Sequence, residues 1–317
     1  MIDLSAKFAL AAVVAWLLTR RATPSQAAAA HRVWLLVLAL PVLWLLAGAL
    51  IAPAVFVQPR ATVWPASIGA PQPRTISLAL TIYAVVAGVL MARVATGVFT
   101  VQRLLRRARR LPDSDLAALR AMAAKVDLDV READLPVPVT AGFVRPAVIL
   151  PVGWRGLSAP ALAAILRHET AHVRRMDCSV AFGCALIEAA CWFHPAVWLA
   201  TSRVRWFAEM ACDAAAARAM DADKYAAELL ALAGRWRGAR PSPFAITAGA
   251  QTSVARRIGL LLDEIEGRRR RNLVPLAAIT LLVAVPSLAL VSIGATSESV
   301  ALDHAEHARM HQQRHKH

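Results

Sequence analysis

Two histidines, His168 and His172, stand four residues apart, and Glu169 directly follows the first of them. On a helix this spacing places both imidazoles on one face, where they can bind a single metal ion. Glu169 then lies beside the metal rather than on it. A metal held in this way lowers the pKa of a bound water to about 7, and a neighbouring carboxylate can accept its proton as the water attacks a carbonyl. The pattern indicates zinc peptidase chemistry; the alternative is a pair of surface histidines that bind nothing.

A catalytic zinc ion takes three protein ligands and keeps one open position. Glu209 is the candidate for the third ligand, and Asp213, four residues later, lies on the same helical face. Asp213 suits a carboxylate that accepts the second ring N–H of a ligating histidine. A solvated acidic face is the alternative, but the flanking residues are mostly apolar. We therefore predict zinc as the cofactor, with metal ligands His168, His172 and Glu209, catalytic base Glu169 and supporting carboxylate Asp213.

Helices must position these side chains. Ser158 is a candidate N-cap, which predicts a helix over residues 161–176. The apolar segment 178–192 looks compatible with lipid, but a single crossing there would place the two halves of the metal site on opposite sides of the membrane. We therefore expect this segment to dip or pack, with a break near Pro195 before the next helix. Glu188 within it faces either the site or an arginine of a neighbouring helix.

Upstream of the active helix, residues 137–151 are predicted to form two short β segments around Gly142. The second segment, 148–150, stops at Pro151, a residue that suits an edge strand. An edge strand beside a metal site can hold an extended substrate by adding its backbone as a further strand. A plain structural hairpin is the alternative.

The composition indicates a membrane protein. Hydrophobic residues make up 58% of the chain and the mean hydropathy is +0.49, values above those of an ordinary soluble domain. The first apolar run is predicted to be a span rather than a signal peptide, because its arginines, Arg20 and Arg21, follow it. Four transmembrane helices are predicted, at about 2–18, 33–57, 76–99 and 273–296.

Arginine clusters set the predicted orientation, because basic residues remain on the cytoplasmic side. They lie at both ends of the region 100–272, which we predict to be a cytoplasmic zinc peptidase domain. The N-terminus and the tail, 297–317, are predicted to lie outside. These clusters also hold much of the formal charge of +15, and they attract anionic membrane lipid. The charge therefore does not require direct binding to nucleic acid.

Two further features concern cysteines and histidines. The four cysteines have no CxxC spacing and are predicted to be free thiols: Cys178, Cys184, Cys191 and Cys212. In the tail, His304, His307 and His311 share one face if that segment is helical. A metal-binding sensor and a disordered polar terminus both remain open.

The order of these features resembles the BlaR/MecR antirepressor family of integral-membrane metallopeptidases. The resemblance covers roughly residues 1–296 and rests on the spans, the Gly-x-x-Arg-Pro strand at 142–146, Arg167-His-Glu-x-x-His172, Trp192-Phe-x-Pro-x-Val-Trp198 and Glu209-x-x-Cys-Asp213. It implies the same zinc ligands, catalytic glutamate and supporting carboxylate as above. It also implies a mostly α, multi-pass protein of the bacterial plasma membrane, with an α+β gluzincin-like domain between spans three and four.

In that family an outside signal activates cytoplasmic proteolysis, which cleaves a winged-helix repressor and the peptidase itself. For this chain the resemblance points to self-cleavage before the last span, and the extended backbone expected there favours a bond between Ser242 and Thr252, with Arg256-Arg257 as a second candidate. A passive linker is the alternative. Antibiotic sensors of the family carry a penicillin-binding domain after the last span, whereas only the 297–317 tail follows here. We therefore expect a separate sensor protein or another stimulus. A non-catalytic receptor that relays its signal by contacts, and a general quality-control protease, remain alternatives.

Overall fold

The computed structural model describes residues 2–55, 73–123, 128–236 and 254–265. The predicted fourth span, the histidine-rich tail and the favoured self-cleavage segment, 242–252, lie outside the described residues. Within the described ranges the chain is mostly helical and carries one small mixed sheet. The predicted combination of a helical chain with a small α+β part is therefore confirmed in outline.

Three helices form the N-terminal part. Helix α1 (Ile2–Thr19) and helix α2 (Ala27–Val55) are joined by a short 3₁₀ turn, and helix α3 (Pro73–Arg107) follows. By length and composition, two stretches of the described residues are able to cross a membrane: Pro24–Leu43 and Leu78–Arg107. The first predicted span is helical, but its apolar part is shorter. Apolar side chains of α3 are exposed between Leu78 and Phe99, as expected for a helix surrounded by lipid, whereas Val101 and Leu104 near its end are buried.

Helix α6 (Asp177–Ala190) and helix α7 (Pro195–Met220) form a helical hairpin. Its tip lies beside the N-terminal helices, because the Tyr83 hydroxyl of α3 donates to the Ala190 carbonyl at 2.9 Å. His194 accepts the Ala196 N–H at Nδ1, 3.2 Å away, and its Nε2 is 2.9 Å from the Ser5 hydroxyl of α1. The apolar segment 178–192 therefore packs beside the N-terminal helices, and the chain reverses direction at residues 191–194. Both the expected packing and the break before Pro195 are confirmed.

Buried contacts join this hairpin to the N-terminal helices and close it internally. Trp34 of α2 and Phe207 of α7 lie in one apolar cluster, so a candidate span packs directly on the helix that carries Glu209. Glu188 accepts hydrogen bonds from Arg205, at 2.6 Å, and from the Thr201 hydroxyl. It is therefore paired with a neighbouring helix, and it does not face the site.

The sheet contains β1 (Arg109–Arg110), β2 (Val130–Ala133), β3 (Val139–Ala141) and β4 (Ala147–Pro151), in the order β1-β2-β4-β3. Strands β2 and β4 are parallel, and the other pairs are antiparallel. The two segments around Gly142 are thus confirmed as β3 and β4. Gly142 has φ +110°, and a Cβ there would lie 2.8 Å from the Arg145 carbonyl oxygen, so the turn requires glycine.

The expectation that the strand ending at Pro151 lies at an edge is wrong. β4 is buried between β2 and β3, and β3 is the edge strand. Pro151 is tolerated because the Val152 N–H continues the ladder to β2, donating to the Ala133 carbonyl at 3.1 Å. On the other side, β3 pairs only as far as Ile149, so no strand stands opposite the missing N–H.

Four further helices complete the described fold: α4 (Asp113–Met122), α5 (Ala159–Arg175), α8 (Ala222–Arg235) and α9 (Val254–Ile265). Helix α5 begins as predicted, since the Ala161 N–H donates to the Ser158 hydroxyl at 3.2 Å. It ends at Met176, whose left-handed conformation (φ 56°) turns the chain directly into α6. A core that includes Leu150 and Leu166 packs the sheet on α5 and thereby fixes the helix that carries both histidines.

Candidate metal centre

The three predicted ligands converge at the base of the α6–α7 hairpin. The Nε2 atoms of His168 and His172 are 3.1 Å apart. The Glu209 carboxylate lies 3.7 Å from His168 Nε2 and 3.5 Å from His172 Nε2. Tetrahedral metal–ligand bonds of about 2.0–2.1 Å place neighbouring ligand atoms about 3.3 Å apart. The side chains therefore have the spacing that one metal ion requires.

Both histidines have a carboxylate behind the ring. His168 Nδ1 is 3.1 Å from Asp213 Oδ1, and His172 Nδ1 is 2.9 Å from Asp177 Oδ2. Because an ionised carboxylate only accepts hydrogen bonds, each Nδ1 carries a proton, which leaves the two Nε2 atoms as the atoms that can bind a metal ion. Two ring nitrogens this close together beside a carboxylate require a cation between them, which is either a proton or a metal ion. The donor set therefore fits a metal ion.

The electrostatics of the pocket also favour positive charge at this point. Burial acts to lower the pKa of His168, but hydrogen bonds with Asp213 and Glu209 outweigh it and raise that pKa to about 10. Burial acts to raise the pKa values of Glu209 and Asp213, yet the Arg257 guanidinium and His168 hold both well below their usual range. Both carboxylates are thus ionised inside the protein, where they stabilise a cation.

Glu169, the predicted base, lies next to this group and is held by the edge strand. The Thr140 hydroxyl of β3 donates to Glu169 Oε2 at 2.6 Å. The Cys178 thiol of α6 in turn donates to the Thr140 carbonyl at 3.3 Å. The contact with Thr140 was not predicted from the sequence, although the expected strand contains that residue. One carboxylate oxygen of Glu169 is therefore fixed, while the other can receive a proton.

A cavity of about 390 Å³ opens over the site. Its walls include β3 on one side and α8 on the other, and the histidines lie on its floor with Glu169 and Glu209. Apolar side chains form much of the wall, among them Val139, Ile165, Leu229 and Trp236. The site is therefore open to a ligand that is long enough to contact both β3 and α8.

Arg257, on α9, is a member of the site that the sequence pattern did not indicate. Its Nε and Nη2 each lie 2.6 Å from Asp213, and its Nη1 lies 2.8 Å from Glu209 Oε2. The side chain is buried, whereas Arg256 is exposed and stacks over the Trp206 ring. The bond between the two arginines is therefore a poor candidate for self-cleavage in this conformation.

A second group of metal-binding side chain types, His172, Asp177 and Cys212, shares one histidine with the first. Its Asp177 is already engaged, since Oδ2 accepts from His172 Nδ1 and from Arg175 Nε at 3.1 Å. We therefore interpret Asp177 as the support of His172.

The four cysteines are free thiols, as predicted.

Comparison with known proteins gives two findings. The sequence profile described as BlaR1 peptidase M56 matches residues 2–261, which include the whole candidate site. The chain is also similar to the regulatory protein BlaR1 of Bacillus licheniformis, with 32% identity over 84 residues. That alignment covers 26% of this chain and only 14% of the relative.

Proposed function

Because this chain belongs to the BlaR1 peptidase M56 family, we propose that it is a membrane-embedded zinc endopeptidase of a transmembrane signalling pathway. We propose that it cleaves a cytoplasmic winged-helix repressor and also itself. A separate sensor protein or another stimulus starts the reaction. The observation that carries this proposal is the convergence of two histidines and Glu209 within ligand distance, with Glu169 beside them.

Each residue of the centre then has a distinct role. His168, His172 and Glu209 would hold the zinc ion. When bound, zinc polarises the scissile carbonyl and acidifies the attacking water. Glu169 takes a proton from that water at Oε1, because the Thr140 hydroxyl already occupies Oε2. The same carboxyl group then delivers the proton to the leaving nitrogen. Asp213 and Asp177 keep the histidine protons on Nδ1, so that both Nε2 atoms remain ligands.

The edge strand β3 suits an extended substrate. Its partner β4 lies on one side only, all three of its residues line the cavity, and on its other edge the Thr140 carbonyl accepts a hydrogen bond from the Cys178 thiol of α6. A peptide that pairs with β3 as a further strand brings its backbone carbonyls past Glu169. The apolar cavity walls receive its side chains. This arrangement favours an endopeptidase, which binds the interior of a chain rather than its ends.

The catalytic domain and the first loop are proposed to lie together on the cytoplasmic side of the bacterial plasma membrane. The Ser25 N–H, in the 3₁₀ turn between α1 and α2, donates to both carboxylate oxygens of Glu264 in α9 at 3.2 Å. That contact supports one common side for the loop and the catalytic helices. Arg20 and Arg21 precede the turn, and basic loops remain in the cytoplasm, where they contact anionic lipid. The proposed topology has four spans, the last at 273–296.

Metal content and cleavage test the proposal together. Glu169→Ala should retain about one zinc per chain, since its ligands are intact, but cleavage should fall by roughly 10²–10⁴-fold or more because the general base is lost. His168→Ala and Glu209→Ala should lose both metal and activity. The substrate is the winged-helix repressor encoded beside this gene, if one is present, and otherwise a peptide library. Full turnover by Glu169→Ala would refute the assigned mechanism.

A further inference from the structure

Each of the three proposed metal ligands has a buried charged partner. Asp213 supports His168, and Asp177 supports His172. Glu209 has Arg257, whose Nη1 forms an ion pair with Oε2 at 2.8 Å. The two aspartates lie on α7 and α6, close in sequence to ligands, whereas Arg257 comes from α9, beyond residue 253. Among these partners, Arg257 is therefore the one that lies farthest along the chain from any proposed ligand.

The guanidinium group binds two carboxylates at fixed angles. Its Nε and Nη2 form a bidentate pair with Asp213, and Nη1 reaches Glu209 one helical turn earlier on α7. Because the group is planar, the pair with Asp213 also fixes the direction of Nη1. Glu209 Oε2 is thereby paired with Arg257 and lies 3.7 Å from His168 Nε2, while Oε1 lies 3.5 Å from His172 Nε2. A lysine would keep the positive charge but could not form the bidentate pair with Asp213 and contact Glu209 at the same time.

Apolar packing places Arg257 at this position. Leu261, one turn later on α9, is 3% exposed and lies in a cluster with Ala164 of α5, Ala217 of α7 and Tyr225 of α8. Ile258 is buried as well. Helix α9 is thus packed on the three helices that form the metal centre. This packing places the Arg257 side chain in the buried site.

We propose that Arg257 is a positioning residue that holds Glu209 in its orientation as third metal ligand. Metal retention then depends on the packing of α9 against the other helices. This rests on the proposed function, in which the centre binds zinc. The competing role for Arg257 is a counter-charge only, and the two roles predict opposite results. Removing a counter-charge leaves a more negative pocket and tightens metal binding. Removing a positioning group releases Glu209 and weakens metal binding.

The test uses the full-length chain in detergent, loaded with Co²⁺, whose visible spectrum reports the ligand geometry. Arg257→Ala and Arg257→Lys should each bind Co²⁺ about 10–100-fold more weakly in competition with a chelator, the usual effect of losing an outer partner of a metal ligand. Their d–d bands should also shift. Arg256→Ala is the matched control, because it removes an exposed arginine of the same helix, and it should behave as the wild type.

The outcomes are separable. Equal or tighter Co²⁺ binding by Arg257→Ala, with a wild-type spectrum, would overturn the positioning role and leave the proposed function intact. If the alanine variant does not fold, the lysine variant decides, because it keeps the charge and most of the buried side chain. A wild-type spectrum and affinity in that variant would also overturn the proposal. Failure of the wild type itself to bind Co²⁺ would overturn the metal centre and, with it, the role of Arg257.

Discussion

Replacing Asp177 by asparagine should weaken zinc binding without altering any proposed ligand. Asp177 is the first residue of α6 and is 8% exposed. Its Oδ2 accepts from His172 Nδ1 at 2.9 Å and from Arg175 Nε at 3.1 Å. Asparagine has nearly the same shape but no charge, and its NH₂ group cannot accept from either donor. His172 then loses the group that orients its ring and keeps its proton on Nδ1.

The expected magnitude follows from these contacts. A hydrogen bond to a charged group contributes about 1.5–3 kcal/mol, and the amide oxygen of the introduced asparagine recovers part of it. A tenfold change in affinity corresponds to about 1.4 kcal/mol. Asp177→Asn should therefore bind zinc about 10–100-fold more weakly, in line with other partners of metal ligands. The lost negative charge acts in the same direction, because it had stabilised the cation.

The assay is a zinc competition titration with a chelator of known affinity, performed on the variant and the wild type at one pH. Asp129→Asn serves as the control, because Asp129 pairs with Arg131 at 2.6 Å in a half-exposed position far along the chain from the proposed ligands. That control should match the wild type. A folded Asp177→Asn protein whose zinc affinity stays within about twofold of the wild type would refute the proposed support of His172.

Three further predictions concern topology, thiols and self-cleavage. Single-cysteine probes at Ser25 and Ala239 should resist an impermeant maleimide added from outside, while a probe at Ala66 should react. The reason is that arginine clusters are expected to retain the first loop and the proposed catalytic domain in the cytoplasm. External labelling at Ala239 would show that this domain lies on the other side of the membrane. Cys178 should react slowly in the native protein at about pH 8 and fully after denaturation, because burial raises its pKa to about 12; rapid native reaction would contradict that burial. Mass spectrometry of activated wild type, beside the Glu169→Ala variant, should show a new terminus within 242–252 only in the wild type; identical intact masses would argue against self-cleavage there.

Contacts within a single helix were predictable from the sequence. His168 and His172 share a face because they lie four residues apart on helix α5. Glu209 and Asp213 have the same spacing on α7, so both lie on the side of that helix that faces the histidines. The N-cap at Ser158 and the break before Pro195 are equally local, since each depends on side chains a few residues away. Local rules therefore predict the placement of these residues well.

Contacts that depend on chain path were not predictable. Asp177 reaches His172 only because Met176 adopts a left-handed conformation, which no residue pattern indicated. Arg257 reaches the centre from α9 through packing of Leu261 on three other helices. The order of strands in the sheet is also a non-local property, so the edge was assigned to the strand ending at Pro151 instead of β3. These are the places where tertiary structure decides.

The most direct test of the metal centre is X-ray absorption at the zinc edge of the purified full-length protein. We predict a first shell of nitrogen and oxygen atoms at about 2.0–2.1 Å, with the outer-shell scattering of two imidazole rings, as two histidines and Glu209 require. A sulfur shell at about 2.3 Å would contradict this account, because it would place zinc on Cys212 in the neighbouring group with His172 and Asp177.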